Sequence, residues 1–537
     1  MELRAKSPVP SPWGTLSGNG VPPGFHDARD LEDGRELACD VCIVGSGAAG
    51  TTAALRLRER GRSVLLIESA GADPDPTTST LSEVEAADLP IGPEARTRTL
   101  GGTTSVWWGC SGLLSEMDFA RRPWLDVPGW PIERSGLMPY YVQACRVLGI
   151  PDLTRVTVDR FRSPRGFLVE TDQLDTVALY WPRRPRRFRD LLEPAVRRDR
   201  ELQAYLYANV TRIVPGAGRR NVERVEIRTI SGRRLTVRPK VLVLACGGIE
   251  NARLLLASGG EGTAGLGNDR DLVGRFYMDH PKGVAGVIRV DTKPGSMPHA
   301  GYWDSRPGRF RLGIRISPDR QRREALLDGY VRFDPVIDHW MLGVDALREL
   351  RRRGGSALLD AGVIRGCLAG APDLVRFARL KILNRGAVEI ASIENFIEQR
   401  PRPENRVRLS HRADLFGNPL PRLEWSIDAM ERRTMRHLHT LLGEDLTRRG
   451  FGKVDSPLLG DPDEPWPISR DASHHMGTTR MGNDPASSVV DRNCQVHGID
   501  NLYVAGSSVF STSGSANPTL TIVALALRLA DHLGESR

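Results

Sequence analysis

Asp40-Val-Cys-Ile-Val-Gly-Ser-Gly-Ala-Ala-Gly50, continued by Thr51-Thr-Ala-Ala-Leu-Arg-Leu-Arg-Glu-Arg60 and closed by Val64-Leu-Leu-Ile-Glu68, decides how this chain is read. The apolar run 41–44 predicts a buried parallel strand, the glycines a turn, the alanine- and leucine-rich run a helix, and 64–67 the next strand. Together they make one βαβ unit. Gly45 permits the tight turn, Gly47 lets the backbone approach a pyrophosphate, and Gly50 lets helix and strand pack closely; the helix N-terminus offers unpaired N–H groups and a positive dipole end. Glu68 follows Gly47 by 21 residues, at the end of the second strand, where a carboxylate takes both hydroxyls of an adenosine ribose. Dinucleotide binding follows, and the same carboxylate repels a 2′-phosphate, so NADP suits the site least.

A chain of 537 residues is too long for one simple core, and two or three domains are expected. No apolar run reaches the roughly 18 residues a membrane span needs, and the first residues lack the charged start and apolar core of an export signal. Seven cysteines, scattered and odd in number, fit reduced thiols in a cytosol better than a disulfide framework. A cytoplasmic protein is therefore expected, with the sequon Asn209-Val-Thr211 read as chance. The net charge of +9 comes from arginine, in runs such as Arg183-Arg-Pro-Arg-Arg-Phe-Arg189 and Arg351-Arg-Arg353. Without interleaved aromatic platforms these read as solvated faces, and no nucleic-acid partner is expected. Cys39-Asp-Val-Cys42 enters a strand rather than a helix N-terminus, which argues against a reactive thiol pair.

Along the chain, residues 1–37 read as an arm over the body. Residues 38–118 form the first part of a discontinuous, Rossmann-like α/β domain, 119–204 a first part of a substrate domain or cap, and 205–283 a return to the parallel sheet. Alternating segments from 283 to about 338 predict antiparallel strands, placing 284–486 in a second, α+β substrate domain. Two helices separated by Gly354-Gly355 are expected between 341 and 383, packed on that domain. A hairpin is expected around Phe416-Gly-Asn-Pro419. Residues 487–537 return to the first domain through a strand at 501–505 and a helix opened by Asn517-Pro-Thr-Leu-Thr521, where Asn517 suits an N-cap and Pro518 the first helical position.

Two further stretches stand out: Arg98-Thr-Leu-Gly-Gly-Thr-Thr-Ser-Val-Trp-Trp-Gly-Cys-Ser-Gly112, and His474-His-Met-Gly-Thr-Thr-Arg-Met-Gly482 with its imidazoles, hydroxyls and glycine joints. With Val273-Gly-Arg-Phe-Tyr-Met-Asp-His280 and the Asn517 segment, they give the chain its resemblance to the glucose-methanol-choline family of FAD oxidoreductases, nearest its pyranose oxidase and fructose dehydrogenase branch. The resemblance implies FAD, with Gly45, Gly47, Gly50, Glu68, Gly101, Gly102, Thr103, Thr104, Val210 (through its backbone, at the adenine), Gly506 (near the ribityl chain) and Thr519 (its N–H at the flavin pyrimidine edge) holding it. It implies His474 as the catalytic histidine and Asn517 as its polar companion, and oxidation of an alcohol carbon of a sugar, glycoside or cyclitol. Val106 stands where pyranose oxidases carry the histidine bonded to FAD, so non-covalent binding is implied. The acceptor of the electrons is left open among O2, a quinone or a redox protein, as is the oligomeric state.

The chemistry agrees. Oxidising an alcohol through a flavin needs the O–H proton removed while hydride leaves the same carbon, and a neutral imidazole with an ordinary pKa near 6.5 suits the proton. His475 reads as structural, and Trp107 and Trp108 as either a sugar-stacking wall or core. A Cys110–His474 nucleophilic pair remains open without an oxyanion hole to mark it. A nicotinamide dehydrogenase, or a basic protein with an inert dinucleotide fold, are the competing readings; no metal site is expected, since no Cys/His cluster has ligand spacing.

Overall fold

A computed structural model describes residues 21–86, 91, 94–161, 169–259, 263–290, 302–305, 308–336, 361–371, 375, 390–461 and 473–535. Its first sheet grows from the opening βαβ unit: β2 (Arg35–Val44), α1 (Ala48–Glu59) and β3 (Val64–Ile67). Residues 41–44 and 64–67 are buried throughout, as strands covered on both faces must be. The order across the sheet is β1 (His26–Asp27), β6 (Leu202–Leu206), β3, β2 and β9 (Arg234–Leu244). β9 divides its far edge. Its first half pairs antiparallel with β8 (Val222–Arg228), which pairs with β7 (Asn209–Pro215), and its last three residues pair parallel with β18 (Leu502–Val504). The parallel body with helices on it is the expected Rossmann-like α/β architecture.

The second large sheet is antiparallel, in the order β11 (Tyr302–Ser305), β12 (Gly308–Ile316), β13 (Gly329–Pro335), β14 (Ile390–Ile397), β10 (Lys282–Val290) and β17 (Gly452–Asp455), with β5 (Leu174–Pro182) also on β12. One face carries Ile288, Ile314, Val331, Phe333 and Ile393 into a core closed by a helix, Ala429–Arg448. The other face mixes charged side chains such as Arg332 and Glu394 with the apolar cluster of Leu179, Tyr330 and Phe396. A small third sheet joins β15 (Arg406–Ala413), β16 (Pro419–Glu424) and β4 (Glu85–Ala86). Among the described residues no helix is long and apolar enough to cross a membrane.

These sheets apportion the chain differently from the expected division. The boundary at 204/205 falls inside β6, all of which pairs with β3. The helices Arg134–Leu148 and Arg189–Arg198 bury Leu137, Tyr141, Leu192 and Val196 in the first core, although they were placed in the substrate domain. The hairpin β15–β16 does the same through Val407 and Leu423. Residues 26–37 supply β1 and the start of β2 rather than an arm. Which core an amphipathic helix or hairpin joins is a non-local matter that its own periodicity does not carry. Strand β9 runs unbroken through Pro239, and the 20-residue helix Ala429–Arg448, opened by the reciprocal cap of Asp428 and Glu431, was not foreseen. The paired helices expected over 341–383 lie largely outside the described residues, which hold a helix at Ala361–Ala369.

Candidate active site

The glycine turn opens α1 onto a cleft. Gly45 sits at φ +102 and Gly47 at φ −65, ψ −169, and no side chain caps α1 nor does an acid occupy its first turn, so its N–H groups face the cleft unneutralised. That is the site a pyrophosphate takes. Glu68 lies along the same wall, its Oε2 accepting from Ser46 N–H (3.0 Å) and Ser46 Oγ–H (2.6 Å) and its Oε1 from Ser69 Oγ (3.0 Å) and Ala70 N–H (3.2 Å). Four donors fix the carboxylate in place. The Gly-Gly loop docks on the turn: Gly101, at φ +87, donates its N–H to Ser46 Oγ at 2.9 Å, and a Cβ on Gly102 would stand 3.1 Å from Gly47 Cα.

All the cofactor and catalytic residues singled out from the sequence line this one cleft except Gly50, Gly101 and Asn517; its space, open mouth included, is about 1380 Å³. Gly50 instead packs α1 onto its strand, since a Cβ there would meet Gly45 O at 1.9 Å. Arg96 and Arg98, both paired to Glu250 (2.7 and 3.4 Å), line the cleft as well and were not singled out. Nor was Arg187. It donates to the carbonyls of Thr104 and Trp107, and Arg189 reaches Asp73 at 3.1 Å. Part of the run 183–189 therefore clamps the Gly-Gly loop rather than facing solvent throughout. Trp107 lines the cleft, packs at the edge of the first core and donates its indole N–H to Arg186 O at 2.9 Å, while Trp108 is 67% exposed.

At the far end of the cleft, segments two hundred residues apart converge. Met278 and Met476 exchange two backbone hydrogen bonds (3.0 and 2.9 Å), and residues 477–481 then run beside 507–509, with Gly477, Thr479 and Met481 donating to Ser507, Ser508 and Val509. This carries His474 to the segment that opens the helix Thr519–Glu535. His474 Nε2 stands 3.2 Å from Asn517 Nδ2, and Cys110 Sγ lies 2.8 Å from Asn517 Oδ1. The side chain of Asn517 thus serves these contacts instead of the helix cap, and Pro518 and Thr519 present the helix start to the cleft. Burial, with His280, Lys282 and His475 adding to it, holds the His474 imidazole well below its ordinary 6.5. It is a neutral base at pH 7. Burial also pushes the Cys110 thiol up to about 12, which removes it as a nucleophile. His475 packs on Tyr277 (6.0 Å between centroids) and lies 4.0 Å from Asp279.

The second face of the second sheet adjoins this end through Cys110, which packs with Leu179, Tyr330 and Phe396. Strand pairing sets Lys282 opposite Phe396 and Glu394 opposite Arg332. Glu394 pairs with both Arg332 and Lys282, the latter at 3.7 Å, and the Arg332 guanidinium lies 4.3 Å from the Phe396 centroid and 5.3 Å from that of Trp181. Charged and aromatic groups therefore share one wall.

A dinucleotide-binding sheet whose cleft runs from the Glu68 carboxylate to the His474 imidazole defines an FAD-dependent oxidoreductase, and the residues present fit that cofactor. Residues 40–76 match the model of an FAD binding domain, and residues 401–526 that of the GMC oxidoreductases. The chain is 26% identical to the 6'''-hydroxyparomomycin C oxidase of Streptomyces lividus over 100% of its own length and 99% of the relative's. It is 27% identical to the paromamine 6'-oxidase of Streptomyces fradiae over 95% and 93%. The formate oxidase of Aspergillus oryzae RIB40 shares the fold, with a TM-score of 0.56 at 18% identity, covering 94% of this chain and 99% of that one. In its C-terminal part, residues 401–526, this chain is similar to the GMC oxidoreductases.

Proposed function

We propose that this enzyme oxidises an alcohol carbon of a sugar, glycoside or cyclitol to the carbonyl, with His474 taking the hydroxyl proton at Nε2 and Asn517 donating a hydrogen bond to the same oxygen. The observation that carries the reading is the 3.2 Å approach of the His474 imidazole to the Asn517 amide at the end of the cofactor cleft. FAD, when bound, supplies the acceptor for the hydride. The chain supplies the rest. His474, kept neutral by burial, is a base across the physiological range, and the start of the helix Thr519–Glu535 sets a positive dipole end beside the cleft. Beside Cys110, the second sheet carries Arg332, Glu394, Lys282, Trp181 and Phe396, the donors, acceptors and aromatic faces that a hydroxyl-rich substrate uses. The names of the two relatives matched along almost their full lengths, oxidases of 6'''-hydroxyparomomycin C and of paromamine, support such a substrate.

FAD is held without a covalent bond in this reading, because Val106 occupies the loop position whose resemblance to pyranose oxidases would call for a histidine; denaturation should release all flavin into the supernatant. The test of the whole is anaerobic mixing with a panel of sugars, glycosides and cyclitols, following bleaching of the flavin band, then admission of air. Oxygen as acceptor restores the band at once, whereas a quinone or redox protein leaves it bleached until added. His474→Ala should keep FAD and slow bleaching at least about 10²-fold. Bleaching at the wild-type rate would remove His474 as the base.

A further inference from the structure

The His474 ring nitrogen that faces away from Asn517 has a partner of its own. His474 Nδ1 lies 2.9 Å from Nδ1 of His280, and His280 Nε2 lies 2.8 Å from the carbonyl oxygen of Gly514. His280 is buried and His474 half-buried, and their rings meet at 81° with centroids 5.0 Å apart. The placement is over-determined. The Met278–Met476 pairing holds the two segments together, and Asp279 Oδ1 accepts from the backbone N–H of both His280 (2.6 Å) and His474 (3.1 Å).

A carbonyl oxygen can only accept, and this settles every proton in the row. His280 carries its hydrogen on Nε2, facing Gly514, so its Nδ1 holds a lone pair when the ring is neutral. His474 must then carry its own hydrogen on Nδ1, pointing at His280. That leaves His474 Nε2 unprotonated, and the Asn517 Nδ2 group donates to it, while Asn517 Oδ1 accepts from the Cys110 S–H. Reversing any one bond would set two donors or two lone pairs face to face.

We propose that His280 is a positioning residue that holds His474 in the single tautomer able to act as a base at Nε2, and that it receives the His474 Nδ1 proton as the substrate hydroxyl gives up its own. In that step the substrate O–H bond breaks and a His474 Nε2–H bond forms; the His474 Nδ1–H bond breaks and a His280 Nδ1–H bond forms. The electron pair of the C–H bond leaves as hydride to the cofactor, as in the reaction already proposed. The positive charge ends on His280, still donating to Gly514. Burial holds the His280 ring down to about 4, opposed by the backbone at Gly514 and Ser513 and by the Asp328 carboxylate, which accepts from Ser515 Oγ at 2.6 Å. The other groups facing the pair are Asp279, Lys282 and His475. The role parallels that of an orienting carboxylate behind a catalytic imidazole, with an imidazole in its place.

The inference rests on His474 being the base, and the test separates the two claims. Nitrogen-15 NMR of the holoenzyme labelled in histidine should show the His474 resonances of an Nδ1–H tautomer at pH 7; assignment comes from the spectrum of His474→Ala. In His280→Leu, which removes the acceptor, the resonances should move toward the Nε2–H form and flavin bleaching should slow at least about tenfold, with FAD content unchanged. His280→Gln keeps an acceptor that takes no proton, so it should preserve the tautomer and still bleach more slowly than wild type. A wild-type spectrum of an Nε2–H tautomer overturns the proposal without any variant, as does a His280→Leu enzyme that bleaches at the wild-type rate. If His474→Ala is slow while both His280 variants are fast, the base assignment stands and this proposal falls. If His474→Ala is fast, both fall.

Discussion

Two glycines of the opening turn, three residues apart, should respond in opposite ways to one methyl group. A Cβ built on Gly50 stands 1.9 Å from Gly45 O and 3.0 Å from Gly45 C, short of ordinary contact, roughly 3.5 Å, by more than 1 Å at the oxygen. Both atoms are backbone, so relief requires α1 to move off its strand. Gly50→Ala should therefore cost the upper end of the overpacking range, about 3 kcal/mol, and lower the urea midpoint of the cofactor-free chain. A Cβ on Gly47 meets nothing within 4 Å, and its φ of −65 and ψ of −169 suit any residue. Gly47→Ala should leave the cofactor-free chain as stable as before, or more so by about 0.4–1 kcal/mol from the lost freedom of the unfolded chain. Its methyl group enters the space beside the α1 N-terminus, however, and FAD affinity should fall at least tenfold, about 1.4 kcal/mol. Urea unfolding without FAD and fluorescence titration with it measure the two quantities separately. A Gly47→Ala chain binding FAD as tightly as wild type, or a Gly50→Ala chain of unchanged midpoint, would refute the assignment of the turn.

Flavin reduction should hold its rate as pH falls through 6.5, because the folded His474 is neutral well below that value; its acid limb in stopped-flow data should lie lower, and a limb at or above 6.5 contradicts a buried neutral base. Arg122 and Glu398 are both fully buried and pair at 2.6 Å, so Arg122→Met, which strands the carboxylate, should cost about 3–5 kcal/mol in chemical unfolding, and adding Glu398→Gln should recover part of it. Arg187→Ala should loosen the Gly-Gly loop and weaken FAD binding severalfold in titrations while leaving the spectrum of bound flavin unchanged.

The βαβ unit was legible because its signals are local: glycine spacing, two apolar runs and an acid at a set interval. The meeting of His474 with Asn517 was legible only through resemblance, since nothing in either segment names the other. Asn517 shows the limit well. By position it reads as a helix cap, and only the tertiary approach of Cys110 and His474 turns its amide to another use. His280 lay within a quoted motif yet carried no assignment, because its importance comes from a carbonyl 234 residues away. Arg187 was hidden for a different reason: a run of like charges says nothing about which member finds a carbonyl. The helix Ala429–Arg448 was missed although Asp428-x-x-Glu431 is a recognisable start.

The cleft draws its lining from positions as far apart as Val44 and Ile522, on segments that alternate with the other sheet along the chain. A molecule lying along it acts as a clasp across the whole primary structure, not as a guest of one lobe. Saturation at a hundred times the dissociation constant adds about 2.7 kcal/mol to folding, shared by every segment the clasp touches, so apoprotein and holoprotein should differ in protease resistance at loops far from the flavin ring.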